Sequence, residues 1–413
     1  MSEKRRDNRG RLLRVGESKR ADGRYEFKFT DSGGIRRTIY SWRLVGTDKA
    51  PPNKKETAPL REMEDKILRD LQDSINSFGL AHTTVDEYWR LYIEGRFELK
   101  ATTRNQYEYQ YSKFVSPCIG NKSLVKVRYD DIRRMYVGML ERGVKAGTVR
   151  VIQGTIHQMF DAAVKNRYIR LNPTDGVVKD LKRSCSWEYG RRSALTVQEQ
   201  SALVDFVSSS AQFSRWPVLF TVLLGTGMRI GECLALRWDD IDFQKNVINV
   251  RHTLTYCKHR GETKRTPHID TPKTRSSVRS IPMLAEVRLA LLREKEYQMA
   301  HGATITKIDQ YSNFIFQTQT RHAMLPSYAH GVIKRVVAAY NATHKDNPLP
   351  EISAHHLRHT FCTRFCENES NIKVIQEIMG HGSAKTTMDI YAQATMEKKA
   401  EVFDNLEGKM KIG

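Results

Sequence analysis

The sequence predicts a multidomain protein, mainly α-helical with small β elements, and three observations carry that prediction. The chain has 413 residues, which at about 150 residues per domain suggests two to three domains. From residue 85 onward most apolar residues recur at three- and four-residue steps, the spacing of helices that bury one face. Alternation with period two is confined to the first sixty residues and to one short interval of the C-terminal half.

Composition narrows the class. Lys and Arg number 68 against 47 Asp and Glu, a net charge of +21. Self-repulsion on that scale makes sense beside a polyanion, so DNA or RNA is the expected partner, with a ribosomal or anionic-lipid surface as the bland alternative. Hydrophobic residues make up 39% of the chain, enough for globular cores. No apolar run reaches the ~20 residues of a membrane span, and the N-terminus lacks the apolar block of a signal peptide. The expectation is a cytoplasmic protein with no membrane partner. Its six cysteines (Cys118, Cys185, Cys233, Cys257, Cys362, Cys366) form no C-x-x-C pair, so reduced thiols are expected rather than a zinc ribbon.

Taken in order, residues 1–60 hold sixteen Lys and Arg against eight Asp and Glu. Tyr25, Phe27 and Phe29 alternate with Glu26, Lys28 and Thr30 and predict one strand. Asp31-Ser32-Gly33-Gly34 is a turn signal, Ile35 to Trp42 a second strand, and Arg11 to Val15 supplies a third. Leu60, Met63, Ile67, Leu71 and Ile75 then place a helix over one face of this sheet. Arg24, Lys28, Arg36 and Arg37 are expected on its open side, suited to a DNA groove, where the bland reading is a solvated basic face. Four helices follow, over residues 85–93, 102–114, 130–140 and 148–163, in a block of about a hundred residues. Lys100, Thr102, Thr103 and Arg104 open the second, where free backbone N–H groups and cations suit phosphate. Residues 179–193 read as an interdomain linker. Leu195-Thr196 starts a further helix, and the remainder to about Ala392 is helical, interrupted by strands at residues 246–256, 268–273 and 278–282. Residues 396–413 read as a short amphipathic helix with a basic end.

The chemistry-bearing residues are ordinary when taken singly. Arg229 lies in Thr226-Gly227-Met228-Arg229-Ile230-Gly231-Glu232, where a structural Arg–Glu pair is the plain reading. Lys273, between Pro272 and Thr274 at an expected hairpin tip, alone reads as a surface lysine; Lys264, Arg265, Arg275 and Arg279 crowd the same hairpins. His355 and Arg358 share a helix face. His355 and His359 have the i, i+4 spacing of H-E-x-x-H, but the glutamate position holds His356 and Arg358 would repel a metal ion, so no metal site is expected. His381 lies in Gly380-His381-Gly382, and Tyr391 comes ten residues later.

Together, in this order across about 160 residues, these motifs resemble those of the tyrosine recombinases, the phage-integrase family. The whole chain resembles most closely the integrases of Gram-positive conjugative transposons. That resemblance implies an arm-site DNA-binding domain at 1–78, a SAM-like helical core-binding domain at 79–178, a linker at 179–193, a catalytic domain with a small antiparallel sheet at 194–395, and a tail helix at 396–413. It implies that Arg229 and Arg358 grip the scissile phosphate, that Tyr391 attacks it to form a 3′-phosphotyrosine, and that Lys273 protonates the departing 5′ oxygen. His355 would assist at the nucleophile, His381 would hydrogen-bond the phosphate, and Glu232 would hold the helix without touching DNA. A phenol with an ordinary pKa near 10 needs such surroundings to attack at neutral pH. No Asp/Glu cluster suited to Mg²⁺ and no G-x-x-x-x-G-K-[ST] loop stands among the motifs, so neither metal nor nucleotide cofactor is expected. The implied partners are double-stranded DNA at core and arm sites, further copies of the chain in a tetramer that exchanges C-terminal segments, and an excision factor. A type IB-like topoisomerase, a non-catalytic DNA-binding regulator and a zinc hydrolase are the alternative readings.

Overall fold

The computed structural model describes residues 5–31, 34–54, 56–72, 83–184, 194–271 and 277–392. The chain divides into two compact units, Met1–Gly190 and Arg191–Gly413. The expected tail at 396–413, Ile75 and Lys273 lie outside the described residues.

The N-terminal unit opens with an antiparallel sheet of three strands, β1 (Glu17–Lys19), β2 (Tyr25–Thr30) and β3 (Arg36–Ser41), in that order. Alternation along β2 sends Tyr25, Phe27 and Phe29 to one face, where they meet Ile39, Leu44 and helix α1 (Leu60–Gln72) through Leu60 and Ile67. The first strand corrects the expectation, because Arg11–Val15 forms no strand and Glu17–Lys19 pairs with β2 instead. Its register places Glu17 opposite Phe27, on the covered face, where the fully buried carboxylate accepts from Arg61 Nε at 3.1 Å. A second correction concerns Arg37. It pairs with Phe29, so it lies on the covered face and donates to Asp31 at 3.0 Å, whereas its neighbour Arg36, opposite Thr30, lies on the open one.

The same unit continues with α2 (Val85–Gly95), α3 (Ala101–Gln110), a π-helical segment (Tyr111–Gly120), α4 (Tyr129–Glu141), α5 (Ala146–Lys165) and α6 (Val177–Ser184). A capping box between Thr84 and Glu87 starts α2. The expected single helix at 102–114 is thus an α-helix that widens into a π segment carrying Pro117. Trp89 stacks on Tyr111 at 4.1 Å, and Asp86 accepts from the Tyr111 hydroxyl at 2.7 Å and the Ser116 hydroxyl at 3.1 Å. Helix α6 occupies the first six residues of the expected linker and buries Val177 and Leu181 in the helical core.

The C-terminal unit packs α7 (Val197–Ser209), α8 (Pro217–Thr226), α9 (Ile230–Leu234), α10 (Ala285–His301), α11 (Pro326–Thr343), α12 (Ala354–Asn368) and α13 (Ile372–Met379). A further helix, α14, runs over residues 384–392. Helix α8 is apolar on most sides because it lies in the middle, against both α10 and α12. Strands β4 (Ile241–Asp242), β5 (Val247–Val250) and β8 (Arg279–Pro282) form one antiparallel sheet, and β6 (Thr253–Cys257) with β7 (Thr266–Asp270) forms a separate hairpin. β7 pairs with β6 and β8 pairs with β5, so among the described residues β7 and β8 form no hairpin with each other. Among the described residues no helix is long and apolar enough to cross a membrane.

Candidate active site

The site is built where two helices end. Helices α8 and α13 both stop at a glycine in the left-handed region, Gly227 and Gly380, each with φ of 61°. A helix end leaves carbonyl oxygens without intrahelical donors and carries the negative end of the helix dipole, so it attracts cations. Here the cations are arginines. Arg358, on the first turns of α12 and 4% exposed, donates to Gly227 O at 2.6 Å and to Met379 O at 2.7 Å. Arg229, at the start of α9, donates to Gly380 O at 2.9 Å. Arg279, on β8, donates to Ile378 O at 2.6 Å. Three consecutive carbonyls, the last two of α13 and that of its capping glycine, thus hold three different guanidinium groups.

One buried carboxylate offsets part of this charge. Glu232 is 3% exposed and accepts from Arg229 Nη1 at 2.7 Å, from the Arg229 backbone N–H at 3.0 Å and from Arg279 Nη2 at 3.0 Å. Burial alone would raise its pKa; Arg279 and Arg229 outweigh that and hold it below the usual carboxylate range. Arg358 is pushed down to about 9, first by burial and then by repulsion from Arg229. It still carries its charge at neutral pH.

Arg229, His355, Arg358 and His381 line one open pocket of about 210 Å³, together with His359, Cys362, Met379, Gly382, Thr386 and Ile390. His355 is exposed at the start of α12, and the neighbouring His356 caps that helix by accepting the Ser353 N–H at Nδ1, 3.1 Å away. His381 is buried, and its Nδ1 lies 2.9 Å from the hydroxyl of Thr387 on α14. Burial and then repulsion from Arg358, Arg229 and Arg279 push its pKa down to about 4, so the ring is neutral at neutral pH. In the tautomer whose Nδ1 accepts from Thr387, the proton sits on Nε2 and can be donated to an anion.

Tyr391 is placed differently. It sits half-buried on α14, one turn beyond Thr387, and packs with Ile390, Phe361 and Phe365 against Cys362, Cys366, Ile375 and Met379. Thr386 and Ile390 of its helix line the pocket. Sequence reasoning missed the contributions of Thr387 and the α13 carbonyls, and placed Arg279 only among crowding cations. Peptide oxygens have no sequence signature, and Thr387 is one hydroxyl among several.

The expected DNA-contacting residues spread over the N-terminal unit. Arg24 lies over the rings of Tyr40 and Trp42, at 5.1 and 5.8 Å, and Lys28 on the open face is 3.0 Å from Glu26. Lys100 precedes the first turn of α3 without a side-chain cap bond, Thr102 lies within that turn, and Arg104 donates to Glu108 at 2.9 Å.

Residues 193–398 match the model of the phage integrase family, and residues 1–71 match the DNA binding domain of tn916 integrase. The transposase from transposon Tn916 of Enterococcus faecalis is 32% identical over 397 residues, 96% of this chain and 95% of that protein. The chain belongs to the phage integrase family. As a family member it is a tyrosine site-specific recombinase of the conjugative-transposon kind. The ICEBs1 integrase of Bacillus subtilis is 25% identical over 354 residues, covering 84% of this integrase and 88% of the relative. Among solved structures, a Tn1549 transposon integrase in complex with a circular intermediate DNA superposes with a TM-score of 0.68 at 29% identity, covering 76% of this chain and 99% of that one. A lambda integrase dimer bound to a core site shares the fold, with a TM-score of 0.51 at 16% identity.

Proposed function

We propose that this integrase cleaves and rejoins DNA strands through a covalent bond from Tyr391 to the 3′ phosphate, to insert and excise a mobile element. The observation that carries the reading is the single pocket lined by Arg229, His355, Arg358 and His381, with the helix of Tyr391 forming part of its wall. Two guanidiniums and a neutral imidazole N–H are the donors a pentavalent phosphorane needs, already fixed before charge develops. In this reading the Tyr391 oxygen attacks phosphorus, His355 takes part in moving its proton, and the 5′ oxygen leaves with a proton from Lys273. Attack by that 5′ hydroxyl restores the strand, and attack by one from a second duplex joins a new strand; each breaks the bond from phosphorus to the Tyr391 oxygen, which regains a proton. The phosphodiester energy is kept in the phosphotyrosine, so strand joining needs no nucleotide.

The rest of the chain would deliver DNA. The open face of the N-terminal sheet (1–78), with Arg24, Lys28 and Arg36, would read arm sites. The helical block (79–178), with Lys100, Thr102 and Arg104, would hold core sites. Further copies would assemble on paired sites as a tetramer that exchanges the 396–413 tail, with an excision factor biasing direction, in the cytoplasm where the element's DNA lies.

The test is a nicked duplex carrying the element's end, incubated with the full chain in EDTA. A protein–DNA adduct on a denaturing gel is expected with the wild type and not with Tyr391→Phe. An adduct persisting in Tyr391→Phe would assign the nucleophile elsewhere, and tight binding without any adduct would favour a DNA-binding regulator.

A further inference from the structure

The pocket leaves one buried cation unexplained. Arg279 is 6% exposed at its side chain and all three of its nitrogens are bonded to protein. Nε donates to Ile378 O at 2.6 Å, Nη1 to Ser277 O at 3.0 Å and Nη2 to Glu232 at 3.0 Å. It is absent from the residues that line the pocket. Burying a third guanidinium beside Arg229 and Arg358 is electrostatically costly, since each repels the others. A neutral residue would fill the same space without that repulsion.

What the guanidinium supplies is a rigid three-way joint. It ties β8 to the last turn of α13 and, through Glu232, to the start of α9. Those two elements hold the two arginines of the pocket in place. Met379 O and Gly380 O, the next carbonyls after Ile378, hold Arg358 and Arg229. Glu232 holds Arg229 by side chain and backbone. The turn at Gly380 lies so close that a Cβ there would stand 2.9 Å from Arg279 Nη1, and His381 follows directly. A planar fork with donors fixed at set angles can make these bonds together; an ammonium on a flexible stem cannot.

We propose that Arg279 is a positioning residue of the phosphate site, fixing the end of α13 and the Glu232 carboxylate and thereby aiming Arg229 and His381 at the scissile phosphate without touching DNA itself. This rests on the reading of Arg229 as a clamp on the phosphate charge. A positioning role through that clamp has a signature that loss of folding lacks: it matters only when the phosphate is charged.

The experiment therefore compares two nicked duplexes of the element's end, one with a normal scissile phosphodiester and one with an uncharged methylphosphonate at the same position. Full-length wild type, Arg279→Lys and Arg229→Ala are each given both, and the rate of covalent adduct formation is read. Arg279→Lys is expected to slow the normal substrate by about a hundredfold, the scale of losing one preorganised donor, and the methylphosphonate by less than about threefold. Arg229→Ala is expected to show the same relief. Equal slowing of Arg279→Lys on both substrates, with relief of Arg229→Ala, would overturn the positioning role and leave the clamp standing. No relief for Arg229→Ala would overturn both. Because one preparation meets both substrates, the ratio of rates is independent of the fraction folded, and Arg279→Gln read the same way replaces Arg279→Lys if the latter yields no folded protein.

Discussion

His381 shows how a single residue takes its state from its surroundings. Its ordinary pKa of 6.5 falls to about 4 because the ring is buried among guanidiniums. In the unfolded chain it protonates near pH 6.5, and in the folded chain only near 4. Between those values the unfolded state binds more protons, so acidification draws the equilibrium away from the folded C-terminal unit. His381→Gln is expected to flatten the loss of stability of that unit between pH 6.5 and 4, measured by urea unfolding across the range. An unchanged pH profile in the variant would place the titrating group elsewhere. Arg358 makes the complementary point: it remains charged despite burial because two helix ends and Glu232 surround it.

At the scale of elements, the helix ends carry the site, and their glycines are unequal to glycines elsewhere. Gly227 has φ of 61°, and a Cβ there would meet Phe361 at 2.3 Å. Gly227→Ala combines left-handed strain with overpacking and is expected to destabilise the C-terminal unit by about 2–4 kcal/mol. Gly154, exposed on α5 with nothing within 4 Å of an added Cβ, is the contrast. Gly154→Ala is expected to stabilise its helix by about 0.5–1 kcal/mol. Denaturant midpoints of both variants check the pair. The elements also show what a sequence discloses. Helix α7, with its Thr196–Glu199 capping box, and α12 were legible because cap and periodicity are local. Strand β1 was not, because pairing with β2 makes Glu17–Lys19 a strand and Arg61 makes a buried Glu17 tolerable. The opposite facing of Arg36 and Arg37 was available from simple alternation. Arg279 was not, since two of its three partners, Glu232 and Ile378, stand 47 and 99 residues away. Arg229, His355, Arg358 and His381 were legible as a set by order and residue type, whereas the pairing of β7 with β6 and of β8 with β5 was not, because strand partners are a non-local property.

For the molecule as a whole, the two units are expected to respond to mild acid with opposite sign. In the N-terminal unit Glu64 is buried beside Glu17, and burial, then the hydrogen bond and like charge of Glu17, raise its carboxyl well above the usual 4.5. A raised acid gives stability that is complete below pH 4.5 and is lost as pH climbs through its raised value. Asp7, Glu26 and Asp48 are held below their usual range, so they weaken the unit only at more acidic pH. Lowering the pH from 7 to 5 is therefore expected to protect the N-terminal unit and expose the C-terminal one. Hydrogen exchange resolved by peptide on the full chain checks this, and Glu64→Gln should abolish the N-terminal half of the effect. Parallel responses in the two units would contradict it.

The three guanidiniums rest on the oxygens of Ile378, Met379 and Gly380, and peptide oxygens belong to every amino acid alike. An alanine scan through that turn would report on packing and φ strain while passing silently over the contacts that organise the centre. Chemistry that edits the main chain, such as replacing a single amide by an ester to weaken one acceptor, would make them visible. A natural variant can likewise keep these contacts through a changed side chain wherever packing and φ allow it, so long as the path of the backbone survives.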